Sequence, residues 1–301
     1  MEWEAYEDVW PNAGHSQFVA ARPHRWHVQI MGERGPTVLL LHGAGGATHS
    51  WRDILPLLAR QFRVIAPDLP GHGFTKLGAL QRSSLPLMAR DVVGLLTKLK
   101  VTPDLIVGHS AGSALALQML DVLPQPSRGI VGINPALDNF KGVAGWLFPV
   151  MAKALSLNPL VAPVFARMSR NGSAENLIAG TGSTLDPVGL ALYRAAIGET
   201  RHVDGALTMM AQWKLDGLQE RLPSLDLPVL FVVGDNDQAV PPTTADRAAR
   251  RMPAAKVVHL PDLGHLAHEE NPNQFCDLIT KFAASIGLIE PTTAATEAAA
   301  R

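Results

Sequence analysis

Seven short runs of aliphatic and β-branched residues recur along the chain: RWHVQIM (25–31), TVLLLH (37–42), FRVIAP (62–67), LIVGH (105–109), GIVGIN (129–134), PVLFVVG (228–234) and KVVHL (256–260). Each has the length and composition of a strand. Several are apolar throughout rather than at alternate positions, the pattern of strands covered on both faces by helices in a parallel sheet. Between them, SWRDILPLLARQ (50–61), LPLMARDVVGLLTKLK (85–100) and SALALQMLDVL (113–123) repeat apolar residues every three or four positions, which predicts helices. The alternation defines an α/β class with a mostly parallel sheet flanked by helices.

The alternation lapses between residues 138 and 220, which are rich in Met, Trp, Phe, Pro and Gly and contain no clear strand. The expected organisation is therefore a core of residues 1–137 and 221–290, a helical cap or lid at 138–220, and a flexible tail at 291–301. The most apolar stretch, 143–165, is broken by Pro149, Lys153, Asn158, Pro159 and Pro163, so it does not read as a transmembrane span. Trp146, Phe148, Met151, Phe165, Met168, Met209, Met210 and Trp213 have two readings: ordinary core packing, or a lid suited to a large, flat, hydrophobic ligand. A third, a surface touching membrane or a partner protein, is weakened by sparse cations, Lys141, Lys153 and Arg167.

Charge narrows the partners. The 301 residues include 26 basic and 27 acidic side chains, a net charge of −1, which supplies no footprint for nucleic acid. One cysteine, Cys276, precludes an internal disulfide and fits a reducing compartment. The start, MEWEAYEDVWPN, lacks the basic and apolar regions of a secretory signal. The cytoplasm is the expected location.

Candidate chemistry centres on GHSAG (108–112), a G-x-S-x-G match set between a strand and a helix. Such a turn presents the serine above the sheet, and its glycines relieve crowding where strand meets helix. A serine hydroxyl needs a base, and the base needs an orienting carboxylate. VLFVVGDNDQAVP offers Asp235 and Asp237 just past a strand; Asp237 is the expected acid, Asp235 being better suited to a turn. VVHLPDLGHLAHEENP offers His259, His265 and His268. His265, in the loop, is the expected base. His259 lies inside a strand, where a packed side chain is expected, and His268 begins the last helix.

Acyl transfer also needs donors for the developing oxyanion. The glycine-rich turn in LLLHGAGGATHSW (39–51) supplies the backbone N–H of Ala44, and that of Ala111 follows the serine. The same turn does not fit a dinucleotide fold, since Thr48 interrupts G-x-G-x-x-G, and the spacing of His265, His268 and Glu269 does not fit helical zinc binding. No cofactor or metal is expected. His42, His72 and His109 sit in turns near the site, where hydrogen bonding around it is the expected role; His15, His24, His27, His49 and His202 have no evident partner.

Taken in order, HGAGG, DLPGHG, GHSAG, GDND and GHLAHE resemble the α/β-hydrolase superfamily across about residues 24–287. The resemblance implies an eight-stranded, mostly parallel sheet and a Ser110, Asp237, His265 triad. Serine rather than aspartate at position 110 disfavours the dehalogenase and epoxide-hydrolase branches. VWPNAGHSQFV, RWHVQIMG, THSWRDILPLLARQFRVIAPDLPGHGFT and RSSLPLMARDV further resemble the α/β-hydrolase-type magnesium chelatase accessory proteins of bacteriochlorophyll biosynthesis. That likeness implies a role at magnesium insertion, a small hydrophobic substrate or porphyrin as ligand, and magnesium chelatase subunits as partners. Two functions follow as expectations: a serine hydrolase cleaving an ester or related acyl bond, or a tetrapyrrole-binding accessory protein that inherits the triad geometry.

Overall fold

A computed structural model describes residues 1–79, 81–138 and 173–290. The strands are β1 (Ser16–Ala21), β2 (His24–Met31), β3 (Thr37–Leu41), β4 (Arg63–Pro67), β5 (Leu105–His109), β6 (Gly129–Ile133), β7 (Val229–Gly234) and β8 (Ala255–Leu260). They form one sheet in the order β1-β2-β4-β3-β5-β6-β7-β8. β1 and β2 run antiparallel to their neighbours, and every other pairing is parallel. β1, SQFVAA, escapes the hydrophobic pattern because it is an edge strand, only partly buried and opened by two polar residues.

The uniformly apolar strands are buried on both sides, as their pattern requires. Leu39, Leu41, Ile106, Phe231 and Val233 enter one core, beneath α2 (Leu85–Leu99) and α3 (Ala111–Met119). Their neighbours Val38, Leu40, Val107, Leu230 and Val232 enter the other, with Ile54, Leu55 and Leu58 of the short α1 (Ile54–Leu58). The stretch 50–61 is thus less helical than its periodicity predicts: a 3-10 turn, Thr48–Trp51, precedes a single α-turn and a half.

Between β6 and β7 the described chain is helical, as expected: α4 (Ser173–Ala179), α5 (Pro187–Ile197), α6 (Thr200–Gln212) and α7 (Asp216–Arg221). Met209 is buried in the core beside α2 and α3, and Trp213 packs against it, so both serve packing. Trp146, Phe148, Met151, Phe165, Met168 and the tail 291–301 lie outside the described residues. After β7 come α8 (Thr243–Ala249), α9 (Ala267–Glu270) and α10 (Pro272–Ser285). Among the described residues no helix is long and apolar enough to cross a membrane.

Strand order positions the site. From β3 the chain moves to β4 on one side and returns to β5 on the other. Loops leaving β3 and β5 therefore diverge and leave a crevice at the carboxyl ends of the strands.

Candidate active site

Ser110 sits at that crevice. β5 ends at His109 and α3 begins at Ala111, leaving Ser110 at φ 52, ψ −117, a conformation costly for a side chain with a Cβ. Close packing enforces the turn: a Cβ on Gly108 would lie 2.3 Å from the Gly112 carbonyl oxygen, and one on Gly112 would lie 2.1 Å from that of Leu41. Both motif glycines are thereby explained by close backbone approach. The Ser110 N–H is donated to the Ile133 carbonyl at 2.9 Å, fastening the turn to β6.

The loop after β3 crosses the same turn, since a Cβ on Gly43 would lie 3.0 Å from the Ser110 Cβ. His42 shapes that loop from below: its Nδ1 bonds the Gly43 carbonyl at 2.8 Å and its Nε2 accepts the Leu69 N–H at 2.9 Å. Burial lowers its proton affinity, keeping the ring neutral. Ala44, at the tip, is exposed. Ala111 is the first residue of α3, so its N–H lacks an acceptor within the helix.

Asp237 lies in the loop after β7 and is 7% exposed. Its Oδ1 accepts the N–H groups of Ala239 and Val240, both at 2.8 Å. Its Oδ2 accepts His265 Nδ1–H at 2.7 Å and Asn134 Nδ2–H at 2.8 Å. With Nδ1 committed, the neutral His265 ring carries its lone pair on Nε2. The loop bearing His265 is tied to the serine turn by His109, whose Nε2–H donates to the His265 carbonyl at 2.8 Å; the two rings are 4.8 Å apart. His109 is itself buried, and desolvation together with His268 and His265 holds its proton affinity well below that of a free imidazole. The structure thus brings the loops of Ser110, Asp237 and His265 to one rim of the sheet.

Asp235 and His259 meet elsewhere. His259 is not the packed strand residue its position suggests: β8 is an edge strand, and the ring lies at the surface between Asp235, 2.7 Å from Nδ1, and Asp246, 3.2 Å from Nε2. The two carboxylates raise its proton affinity. His268 does not begin the last helix, which starts at Pro272; it lies in the short helix α9 before it, fully buried against Trp51 and His109.

Four polar arrangements, not all at the site, escape sequence reasoning. Asn134, at φ 44 directly after β6, reaches Asp237; the only signal was a polar residue ending an apolar strand. His27 pairs with Asp68 at 2.8 Å, and His24 with Asp91 at 3.0 Å. Glu269 receives the hydroxyls of Tyr193 at 2.6 Å and Ser50 at 2.7 Å. Burial pushes the Glu269 carboxyl up to about 8, although both hydroxyl donors oppose the shift. Among the described residues no group of His, Cys, Asp and Glu has the arrangement of a metal site.

Residues 36–272 match the alpha/beta hydrolase fold family, and the chain belongs to it. A more particular likeness is to the magnesium-chelatase 30 kDa subunit of Rhodobacter capsulatus, 44% identical over 271 residues that cover 89% of this chain and 94% of that one. Among solved structures, a thermophilic esterase from Thermogutta terrifontis superposes with a TM-score of 0.74 at 24% identity, covering 90% of this chain and 99% of the other. An alpha/beta hydrolase fold protein from Burkholderia ambifaria gives 0.73 at 22% identity, covering 89% and 100%. At these identities the two structures speak for the fold.

Proposed function

We propose that the protein is a serine hydrolase of esters or related acyl bonds, acting in the cytoplasm beside magnesium chelatase on an apolar, porphyrin-like substrate. The observation that carries the reading is the strained Ser110 turn bonded through His109 to the loop of a buried His265–Asp237 pair. In the reaction, Ser110 Oγ attacks the acyl carbon while His265 Nε2 takes its proton. Asp237 holds the Nδ1–H and stabilises the imidazolium. The N–H groups of Ala44 and Ala111 receive the oxyanion. The tetrahedral adduct then collapses, His265 returns the proton to the departing alcohol, and water cleaves the acyl-serine by the same steps. The segment 138–220, the expected cap, has an apolar composition that suits a flat hydrophobic substrate.

Labelling with a fluorophosphonate tests the chemistry: the expected result is one adduct, on Ser110, and hydrolysis of p-nitrophenyl acetate that falls about a million-fold in Ser110→Ala. Absence of an adduct, with turnover unchanged by the substitution, overturns it. The relative named as a magnesium-chelatase subunit favours a second reading, a non-catalytic carrier that presents a tetrapyrrole to the chelatase. Titration with protoporphyrin IX followed by absorbance separates the two: a carrier binds it tightly with no serine adduct formed, whereas a hydrolase is labelled.

A further inference from the structure

We infer that His202, on α6, is a positioning residue that holds the oxyanion loop in its working shape; the inference rests on the hydrolase reading above. His202 is 1% exposed, and both ring nitrogens are engaged with backbone. Nδ1 accepts the Gly73 N–H at 3.0 Å, which fixes the proton on Nε2, and Nε2–H donates to the Gly45 carbonyl at 2.9 Å. Burial lowers its proton affinity to about 4, so this tautomer persists at neutral pH.

The bond to Gly45 falls where the loop needs an anchor. Gly43 to Gly46 form a four-residue turn closed by Gly46 N–H to the Gly43 carbonyl at 3.1 Å, with Gly45 at φ 78 in the third position. Ala44, whose N–H faces the oxyanion in the proposed reaction, is the second residue of that turn. A glycine-rich tip has many backbone conformations open to it. His42 fixes its base at Gly43, and His202 fixes its far side at Gly45.

The approach of α6 is set by backbone contact. One helical turn after His202, a Cβ on Gly205 would lie 2.1 Å from the Gly71 carbonyl oxygen, and a Cβ on Gly71 would lie 2.9 Å from the Gly205 Cα. Helix backbone therefore rests on loop backbone, and only at this distance does an imidazole from residue 202 span Gly73 and Gly45. Seating of the helix is thereby coupled to the geometry of the Ala44 N–H.

Two isosteric substitutions separate the bonds. The amide oxygen of His202→Asn can occupy the place of Nδ1 and accept from Gly73, but nothing reaches Gly45. The amide of His202→Gln extends to the place of Nε2 and can donate to Gly45. With p-nitrophenyl acetate and the fluorophosphonate as probes, His202→Asn is expected to lower kcat and the labelling rate about tenfold to a hundredfold, the scale of a misplaced catalytic group, with KM within about twofold. His202→Gln is expected to recover most of that loss. Gly205→Ala, which lifts α6 and so draws a chemically unaltered imidazole away from Gly73 and Gly45, should lower the rate in the same direction. Equal rates in the Asn and Gln variants, or losses that follow thermal stability or KM alone, overturn the inference while a labelled wild type keeps the hydrolase reading. An unlabelled wild type overturns both.

Discussion

Among the described residues, one serine–histidine–aspartate array is closed by hydrogen bonds, and it is not the proposed one. Ser16 Oγ lies 2.9 Å from His27 Nε2, and His27 Nδ1 lies 2.8 Å from Asp68 Oδ2, a closed series of contacts. In the other array His265 Nδ1 is 2.7 Å from Asp237 Oδ2, while the Ser110 hydroxyl is not hydrogen-bonded to any described residue. Both aspartates are cradled by backbone N–H groups: Thr48 and Phe74 donate to Asp68, Ala239 and Val240 to Asp237. The arrays differ at their other ends. Ser16 is ordinary extended backbone at φ −79, ψ 137, whereas Ser110 is strained at φ 52, ψ −117. The His27 side chain is wholly buried among Trp3, Phe18 and Phe74, whereas that of His265 keeps 10% of its surface. Connectivity alone therefore does not define a reactive serine. In the proposed reaction, access, a strained turn and the backbone N–H groups of Ala44 and Ala111 set Ser110 apart from a structural clasp.

Substituting the two serines gives the largest contrast. Ser110→Ala is expected to remove about six orders of magnitude of ester turnover, and Ser16→Ala to leave labelling of Ser110 intact. An adduct on Ser16 in the wild type would invert the comparison. The aspartates follow. Asp237→Asn should lower kcat about 10⁴-fold by favouring the wrong His265 tautomer. Asp68→Asn should leave labelling of Ser110 intact and cost roughly 3–5 kcal/mol in urea denaturation because it breaks a buried pair. Burial pushes the Asp68 carboxyl up, but His27 and the Phe74 N–H outweigh it and hold the group well below the usual carboxylate range. Its contribution is thus full above the unfolded value of 3.8 and is lost as pH falls below it, a slope that Asp68→Asn should flatten.

The two arrays also differ in how far they could be read in advance. GHSAG, GDND and the Gly264–His265 loop are local signals: each follows an apolar run and ends a strand, so strand order alone gathers them at one rim. The His27–Asp68 pair depends on register. β2 lies antiparallel to β4 with Val28 opposite Pro67, which sets His27 beside Asp68, and no pattern within HRWHVQIM announces that neighbour. His202 and Glu269 were opaque for a related reason: their partners are backbone groups and hydroxyls from elements far away in sequence. His259 misled because its strand has one neighbour only, and an edge strand leaves a face to water.

A third contrast sets Glu269 against Asp68. Its carboxyl, buried beside Tyr193 of α5, is pushed up to about 8 from 4.5. The folded state therefore binds a proton that the unfolded chain releases, and the stability this supplies is complete below about 4.5 and lost as pH rises through 8. Glu269→Gln, which keeps the neutral shape, should match the wild type at pH 5 and exceed it by a few kcal/mol at pH 9 in urea denaturation. If both proteins lose stability equally between pH 5 and 9, Glu269 ionises normally and the link between α5 and the core is an ordinary ion contact.

The smallest expected effect bears most directly on the clasp. Ser16→Ala removes one hydroxyl, which leaves His27 Nε2 without its partner and takes away a weaker acceptor of Gln29 Nε2 at 3.3 Å. Gln29 still donates to the Pro11 carbonyl at 2.7 Å, so its amide remains satisfied. The cost should be about 1 kcal/mol, the usual worth of one partly buried hydrogen bond. It should appear as a faster unfolding rate with turnover of p-nitrophenyl acetate unchanged. In Asp68→Asn the same substitution should cost less, because a His27 ring freed from its aspartate gains little from being held at Nε2. A double-mutant cycle reads this coupling. Additive losses would mean that Ser16 and Asp68 act on His27 independently, and the array would then be two separate contacts.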